Sequence, residues 1–180
     1  DGGLKAGKAY LILGSNLGST STIELSIADY SFIGEHPDDN LGRSMFGFGD
    51  VDGDGLSDIL IGAPYNDDGG LDAGKSYLLK GASLGENATI ALSESDYVLI
   101  GEEADDRMGQ SASLSGDVDG DGLADILIGS YGNDEGGLTS GKVYVVLGSS
   151  LGGEAAVSLS DDVDYSFIGE SPYDYVGRSL

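Results

Sequence analysis

The 180-residue sequence contains no cysteine, no tryptophan, three prolines and a single histidine. Because no disulfide can form, any fastening of the fold beyond its hydrophobic core must come from another source, such as a metal ion. No apolar run approaches the roughly 18–20 residues that cross a bilayer, so the sequence predicts no membrane insertion. The chain begins at Asp1 rather than at a methionine, as expected of a processed or partial product.

Basic residues are also few, since eight Lys and Arg stand against 32 Asp and Glu and the formal net charge is −24. Such a chain repels nucleic acid and anionic membranes, and it attracts divalent cations. A solvated acidic surface has the same composition, so the positions of the aspartates decide between the two interpretations. The apolar content of 39% is sufficient for a folded core and argues against a disordered acidic tail.

Internal repetition and 32 glycines dominate what the sequence does contain. Three landmarks recur at an offset of 67 or 68 residues: Gly7–Tyr10 with 74–77 and 141–144, Tyr30–Glu35 with 97–102 and 165–170, and Asp50–Asp58 with 117–125. A period of this size is typical of propellers, solenoids and other arrays. We therefore expect a partial first repeat at 1–49, a second repeat at 50–116 and a third at 117–180.

The hydrophobic pattern within a repeat is that of short strands. Residues 58–62, 75–80 and 97–100 are apolar runs that end at Gly or Asp, and no stretch keeps a helical period for three turns. The sequence thus predicts an all-β fold with about four strands per repeat. The fourth is expected at Ser44–Phe48 and Ser111–Ser115, where small residues suit a crowded inner strand near a propeller axis or, alternatively, a surface edge.

Two Asp-rich loops carry the candidate chemistry. Each has carboxylates at positions 1, 3, 5 and 9, and glycines that let the backbone curl around a centre. Calcium prefers six to eight oxygen ligands, and the carbonyl at position 7 can supply one of them. The predicted ligands are Asp50, Asp52, Asp54, Leu56 (carbonyl) and Asp58 in the first loop, and Asp117, Asp119, Asp121, Leu123 (carbonyl) and Asp125 in the second.

Two other interpretations of these loops are weaker. An EF-hand needs an acidic residue at position 12 and a helix after it, but position 12 is Ile61 or Ile128 inside an apolar run. A plain turn also favours Asp and Gly. Four carboxylates within nine residues repel one another without a cation, however, and the arrangement occurs twice in register. We therefore expect two Ca²⁺ sites.

The loops and their flanks resemble the FG-GAP repeat of integrin α-subunits and their bacterial relatives. The residues that carry the resemblance are Gly49–Gly55, Asp58–Pro64 and Gly74–Tyr77. Two departures occur, since the Phe of "FG" is Leu41, Met108 or Val176, and "GAP" becomes Gly-Ser-Tyr at 129–131. The resemblance implies four-stranded antiparallel propeller blades, calcium in the hairpin between the first two strands, an extracellular location and protein ligands.

Several catalytic motifs are discounted, so we expect no enzyme. Residues 69–76 fit the Walker A expression, but a short strand follows instead of a helix. Residues 81–85 and 148–152 fit a nucleophile-elbow expression that a turn also explains. The only histidine, His36, lies in an acidic loop and is not repeated. The recurrent tyrosines are interpreted as core packing, with an exposed binding face as the alternative, and Asn87 begins a glycosylation sequon.

At a period of 67, 180 residues correspond to about 2.7 repeats, fewer than the four to eight blades of a closed propeller. Further repeats or another chain must then complete the fold. Two functions follow: a calcium-stabilised extracellular structural protein that assembles with copies of itself or adjacent repeats, or an adhesion module for a protein or glycan ligand with specificity in loops 35–40 and 102–107. A hydrolase on a calcium-stabilised propeller is a distant third.

Overall fold

The computed structural model describes residues 2–18, 22–85, 88–152 and 156–180, so the sequon at Asn87 lies outside the described residues. The fold is all-β, as the sequence predicts. The described helices are 3₁₀ turns of three residues, and none of them has the length or apolar character to span a membrane.

Twelve strands account for the regular structure of the described residues, and their positions follow the apolar runs of the sequence. They are β1 Lys8–Leu11, β2 Tyr30–Ile33, β3 Ser44–Gly49, β4 Asp58–Ala63, β5 Lys75–Leu79, β6 Thr89–Ala91, β7 Tyr97–Ile100, β8 Ser111–Gly116, β9 Asp125–Ser130, β10 Lys142–Val146, β11 Ala156–Ser158 and β12 Tyr165–Ile168.

The strands form two complete four-stranded antiparallel blades and half of a preceding one. The first complete blade is β3-β4-β5-β7, the second is β8-β9-β10-β12, and the half-blade is β1-β2. The expectation of about four strands per repeat is confirmed. In each complete blade the strand that begins at Ser44 or Ser111, β3 or β8, comes first, and these two strands pack against each other across the blade junction. Blade boundaries follow strand pairing, so the division at residues 50 and 117 stays a prediction about the repeat unit.

A fifth, very short strand per repeat was not foreseen from the sequence. β6 pairs in parallel with β2 of the preceding half-blade, and β11 pairs in parallel with β7 of the preceding blade. We call β6 and β11 the bridging strands, because each leaves the loop between the third and fourth strands of its own blade to join the neighbour. Parallel pairing of this kind extends the sheet across the junction.

Apolar side chains fill the spaces between the blades. One cluster lies between the two complete blades and includes Leu60, Leu114 and Ile128. The other lies between the half-blade and the first complete blade, and it includes Phe32 and Ile61. Of the six recurrent tyrosines predicted to pack in the core, Tyr77 and Tyr144 are fully buried, whereas Tyr165 is 58% exposed. The other three are half-buried: Tyr10, Tyr30 and Tyr97.

Polar contacts repeat across both blade junctions. Lys75 Nζ lies 2.7 Å from Glu35 Oε2, and Lys142 Nζ lies 3.1 Å from Glu102 Oε2. Lys75 is the lysine of the Walker A-like stretch. Because it begins β5 and its ammonium group contacts carboxylates, including Asp68 Oδ2 at 2.8 Å, the P-loop interpretation fails as the sequence predicts.

Candidate metal centre

Both Asp-rich loops join the first and second strands of a complete blade. The first loop connects β3 to β4, and the second connects β8 to β9. No helix follows either loop, since Ile61 and Ile128 lie within strands, so the rejection of an EF-hand is confirmed. Gly53 and Gly55 adopt φ of 76° and 85°, a left-handed conformation that favours glycine and curls the backbone around the loop centre.

The fold brings three carboxylates of each loop together. In the first loop these belong to Asp50, Asp52 and Asp58, and one oxygen of each lies within 4.8 Å of the others. The second loop repeats the cluster with its three equivalent aspartates, Asp117, Asp119 and Asp125, at the same limit of separation. We call these the first and second carboxylate clusters.

Backbone N–H groups hold the first and last carboxylates of the loop in position. Asp50 accepts hydrogen bonds from Gly53 N at 2.8 Å and from Gly55 N at 2.9 Å. Asp58, which begins β4 and is fully buried, accepts from Val51 N at 2.7 Å and from Gly81 N at 2.8 Å. Asp58 therefore ties both ends of the loop to the turn that follows β5.

The second loop uses the same hydrogen bonds. Asp117 accepts from Gly120 N at 2.7 Å, and Asp125 accepts from Val118 N at 2.6 Å and Gly148 N at 3.0 Å. The local sequence therefore determines the arrangement, whichever blade carries it.

The electrostatics of the first cluster differ between its exposed and buried members. The N–H groups of Gly55 and Gly53 lower the pKa of Asp50, which keeps this carboxylate ionised. Burial raises the pKa of Asp58, and the nearby charges of Asp52 and Asp50 raise it further. A buried carboxylate that faces two others is destabilised without a counter-charge, and a cation at the loop centre would supply one.

Two of the predicted carboxylate ligands lie outside the three-carboxylate clusters. Asp54 Oδ1 accepts the N–H of Leu56 at 2.7 Å, and Asp121 Oδ1 accepts the N–H of Leu123 at 2.8 Å. A carboxylate has a second oxygen and further lone pairs, so this hydrogen bond is compatible with metal binding. The roles of Asp54 and Asp121, and of the Leu56 and Leu123 carbonyls, stay predictions.

The donor set of each cluster fits a hard divalent cation. All of the clustered groups are carboxylates, and neither cluster contains a nitrogen or sulfur ligand of the kind that transition metals and zinc prefer. Calcium accepts such oxygen-only, flexible sites, whereas magnesium requires a tighter octahedron. The residues present therefore fit calcium.

The two clusters are not equivalent, a feature that the sequence repeats conceal. Lys80 Nζ lies 3.3 Å from Asp52 Oδ2 and 5.3 Å from the centre of the Tyr97 ring. In the second loop the position of Lys80 is occupied by Leu147. Among the residues that the structure describes, only the first cluster therefore has an ammonium group that competes for one of its carboxylates.

A second polar feature lies where the chain leaves β4 and β9. The guanidinium groups of Arg43 and Arg107 lie 5.6 and 5.8 Å from the Tyr65 ring, and those of Arg107 and Arg178 both lie 5.9 Å from the Tyr131 ring. These arginines are the only three in the chain. We call this row the Arg–Tyr row. The repeat pattern of the sequence does not reveal this row, because its tyrosines occupy non-equivalent positions in their repeats.

The histidine offers no catalytic constellation in the described part of the chain. His36 Nδ1 lies 3.7 Å from Asp39 Oδ2, and no described serine hydroxyl hydrogen-bonds to the ring. Asp39 in turn accepts from Asn66 Nδ2 at 2.9 Å across the blade junction. The contact is thus part of a junction that holds neighbouring blades together.

Comparison with known proteins agrees with the loop geometry. The model of the FG-GAP repeat matches residues 46–79 and 108–146, which contain both carboxylate clusters. Integrin alpha-PS2 of Drosophila melanogaster is 39% identical over 57% of this chain, and integrin alpha-IIb of Homo sapiens is 35% identical over 57%. The chain covers 7% and 10% of the length of these two relatives.

A relative that is named for an enzymatic activity also matches. Phosphatidylinositol-glycan-specific phospholipase D of Rattus norvegicus is 29% identical over 99% of this chain, which covers 21% of that protein. The similarity to integrins, the two FG-GAP matches and the repeated four-stranded blades lead to one conclusion: the chain contains two FG-GAP repeats, each within a four-stranded blade of the β-propeller type, and is similar to integrin α-subunits.

Proposed function

We propose that this chain is a calcium-stabilised, non-enzymatic module of an extracellular assembly, in which Ca²⁺ fixes the geometry of each blade. The observation that carries the proposal is the three-carboxylate cluster, which forms twice at the same corner of consecutive blades. Carboxylates held this close favour a shared divalent cation. The chain has no cysteine, so no disulfide can stabilise the blade in its place.

Calcium at this corner would act on the blade as a whole. Asp58 connects the loop to the turn after β5 through Gly81, so a cation that holds Asp58 also holds the first three strands of the blade. The adjacent loops touch as well, since Ala124 N donates to Asp50 O at 2.8 Å across the junction. Calcium is thus expected to stabilise both the blades and the contact between them.

An extracellular location and protein partners are part of the proposal. Family resemblance to integrin propellers supports both, and acidic calcium modules outside the cell commonly bind the ion at 10⁻⁴–10⁻³ M. The strong similarity of the repeats favours assembly with copies of the chain or with adjacent repeats, because each blade interface is then reusable.

The test is thermal unfolding with and without a calcium chelator. At a calcium concentration of about 100 times Kd, each site adds about 2.7 kcal/mol, which corresponds to a rise in Tm of roughly 5–10 °C for a chain of this size. The variant that combines Asp52→Asn with Asp119→Asn should lose most of this shift, whereas Asp161→Asn, an exposed aspartate outside both clusters, should keep it. A Tm that does not respond to chelator would refute the proposal.

The second candidate function is a ligand-binding adhesion module, which the Arg–Tyr row favours. Arg43 and Arg178 are exposed and contact tyrosine rings but no carboxylate of the described residues, although the net charge is −24. Exposed guanidinium groups held on aromatic faces are suited to a carboxylate of a protein partner. Electron microscopy of the calcium-loaded protein separates the two functions, because rings or fibres support assembly and isolated discs support the binding module.

A hydrolase remains the third and most distant candidate. Its only support is the partial similarity to a phospholipase D, and the described residues bring no nucleophile, base and acid together. We propose that the chain has no catalytic activity. Turnover of a phosphodiester substrate by the purified protein that Asp52→Asn abolishes would overturn this.

A further inference from the structure

The two Asp-rich loops are joined by a backbone hydrogen bond across the junction between the complete blades. Ala124 N donates to the carbonyl oxygen of Asp50 at 2.8 Å. Asp50 is a member of the first carboxylate cluster, and Ala124 directly precedes Asp125, the fully buried member of the second. The hydrogen bond therefore connects a residue of one cluster to the immediate neighbour of a residue of the other.

Two further contacts join the same loops. A Cβ at Gly53 would lie 3.1 Å from Leu123 Cδ2, so the leucine side chain lies against the first loop. A Cβ at Gly148 would lie 2.9 Å from the Val51 carbonyl oxygen, and Gly148 N is a donor that holds Asp125. The backbone of the first loop thus rests against residues that position the second cluster.

Val51 fixes the contact from the apolar side. It lies between Asp50 and Asp52 in the sequence, is 1% exposed and belongs to the apolar cluster between the complete blades. Ala124 packs against the same apolar cluster. A displacement of the first loop therefore exposes apolar surface and disturbs the second loop at the same time.

This packing links the cost of ordering one loop to the state of the other. Both loops contain glycines at positive φ, such as Gly53 and Gly120, and such residues lose much conformational freedom when the loop is held. A cation in the first loop would fix Asp50, and with it the acceptor of the Ala124 N–H. The second loop would then be partly ordered before its own cation binds, and its binding would cost less entropy.

Charge acts in the opposite direction. A divalent cation in one three-carboxylate cluster reduces the negative charge that attracts a cation to the other. Salt screens this interaction, with a Debye length of about 8 Å at physiological ionic strength. The hydrogen bond and the apolar contacts are direct and are not screened in this way. Measurements at high salt therefore separate the two contributions.

We infer that the two carboxylate clusters bind Ca²⁺ with positive cooperativity, transmitted by the hydrogen bond from Ala124 to Asp50 and by the Leu123 side chain. The inference rests on the calcium binding proposed above and concerns its regulation. Because such coupling is reciprocal, calcium in either loop tightens binding in the other by the same factor. The junction between the blades then becomes rigid over a narrower range of calcium concentration than two independent sites would give.

Calcium titration by calorimetry measures the coupling in the unmodified chain and in two single-site variants. Asp119→Asn leaves only the first cluster intact, and Asp52→Asn leaves only the second. The product of the two stepwise association constants of the unmodified chain should exceed the product of the two single-site constants by about fivefold or more. This ratio should persist at about 1 M salt. A ratio of one or less at that salt concentration would overturn the inference.

Truncation of Leu123 tests the route. Leu123→Ala removes the contact with Gly53 and keeps the backbone carbonyl that is a predicted ligand, so the ratio should fall towards one. The matched control is Leu56→Ala, which makes the same truncation at the same position of the first loop, where the leucine is 49% exposed, and should keep the ratio. A full ratio in Leu123→Ala would show that the coupling does not pass through this contact and would overturn the proposed route.

Hydrogen exchange provides a readout other than binding. In Asp119→Asn, where only the first cluster is intact, calcium should slow the exchange of the Ala124 amide by roughly tenfold, although this amide belongs to the second loop. The Gly132 amide, which donates to Asp106 O at 3.1 Å away from both loops, is the control and should change little. An Ala124 amide that exchanges at the same rate with and without calcium would contradict the inference.

The outcomes distinguish this inference from the proposed function. Two sites that bind calcium independently would overturn the coupling and leave the calcium-stabilised module intact. Absence of calcium binding in the unmodified chain and in both single-site variants would refute the two together.

Discussion

Lys80 is a built-in difference between the two carboxylate clusters, and replacing it with leucine should make the calcium affinities that we propose for them alike. Its ammonium group lies 3.3 Å from Asp52 Oδ2. Burial lowers the pKa of Lys80, but the hydrogen bond to Asp52 raises it, and the pKa is raised overall. Calcium must take this carboxylate from the lysine before it binds. The second loop, with Leu147 at the equivalent position, requires no such exchange.

The magnitude follows from two contributions. Breaking a partly exposed ion pair costs up to about 1 kcal/mol. Repulsion between the ammonium group and a doubly charged ion bound in the adjacent loop adds roughly 1 kcal/mol in water. Together they amount to about 1–2 kcal/mol, so we expect the first site to bind calcium about 5- to 30-fold more weakly than the second, and Lys80→Leu to remove most of that difference.

Calcium titration by calorimetry measures this effect. In an Asp119→Asn background only the first site responds, and Lys80→Leu should tighten it by the stated factor. Lys5→Leu removes the same charge from an exposed lysine that pairs with Asp38, so it controls for net charge and should leave the affinity nearly unchanged. An unchanged or weaker first site in Lys80→Leu would refute the reasoning, as would a wild-type first site tighter than the second.

Two further predictions concern the blade junctions. Burial raises the pKa of Asp106 from 3.8 to about 6, although the hydrogen bond from Asn133 acts in the opposite direction. The folded state therefore binds this proton more tightly than the unfolded state does. The resulting stabilisation is full below the unfolded pKa of 3.8 and is lost as the pH rises through 6. The stability difference between Asp106→Asn and wild type should therefore change by roughly 2 kcal/mol between pH 4 and pH 8 in denaturant titrations, and a constant difference would contradict the shift. A methyl group at Gly62 would overlap the Gly109 carbonyl oxygen of the next blade, so Gly62→Ala should lower the free energy of unfolding by about 2–3 kcal/mol. At Gly47 the nearest atom to an added methyl group is 3.8 Å away, so Gly47→Ala should leave the free energy of unfolding almost unchanged. Equal losses in the two variants would show that the blades do not approach closely at Gly62.

Much of the fold could be predicted from the sequence because its determinants are local. Runs such as 58–62 are bounded by turn residues, and β4 begins and ends within one residue of that run. The carboxylate clusters are also local, since one nonapeptide supplies all three members of each. The second copy of the loop at 117–125 supports the same prediction, because it has the same spacing of carboxylates as Asp50–Asp58.

What the sequence could not reveal depends on contacts between repeats. β6 and β11 have three residues each, too few for a pattern, and they form only because a neighbouring strand offers an edge. Lys80 reaches Asp52 through the packing of β5 beside β4, which no spacing in the sequence encodes. The Arg–Tyr row likewise arises from residues that three-dimensional proximity alone brings together.

The most direct test of a calcium-stabilised blade is anomalous scattering from crystals grown in calcium. We expect one strong peak inside each loop, within about 2.3–2.6 Å of oxygens from Asp50, Asp52 and Asp58 in the first and from their equivalents in the second. Density maps with neither peak, and with these carboxylates turned away from a common centre, would contradict the proposed role of the ion.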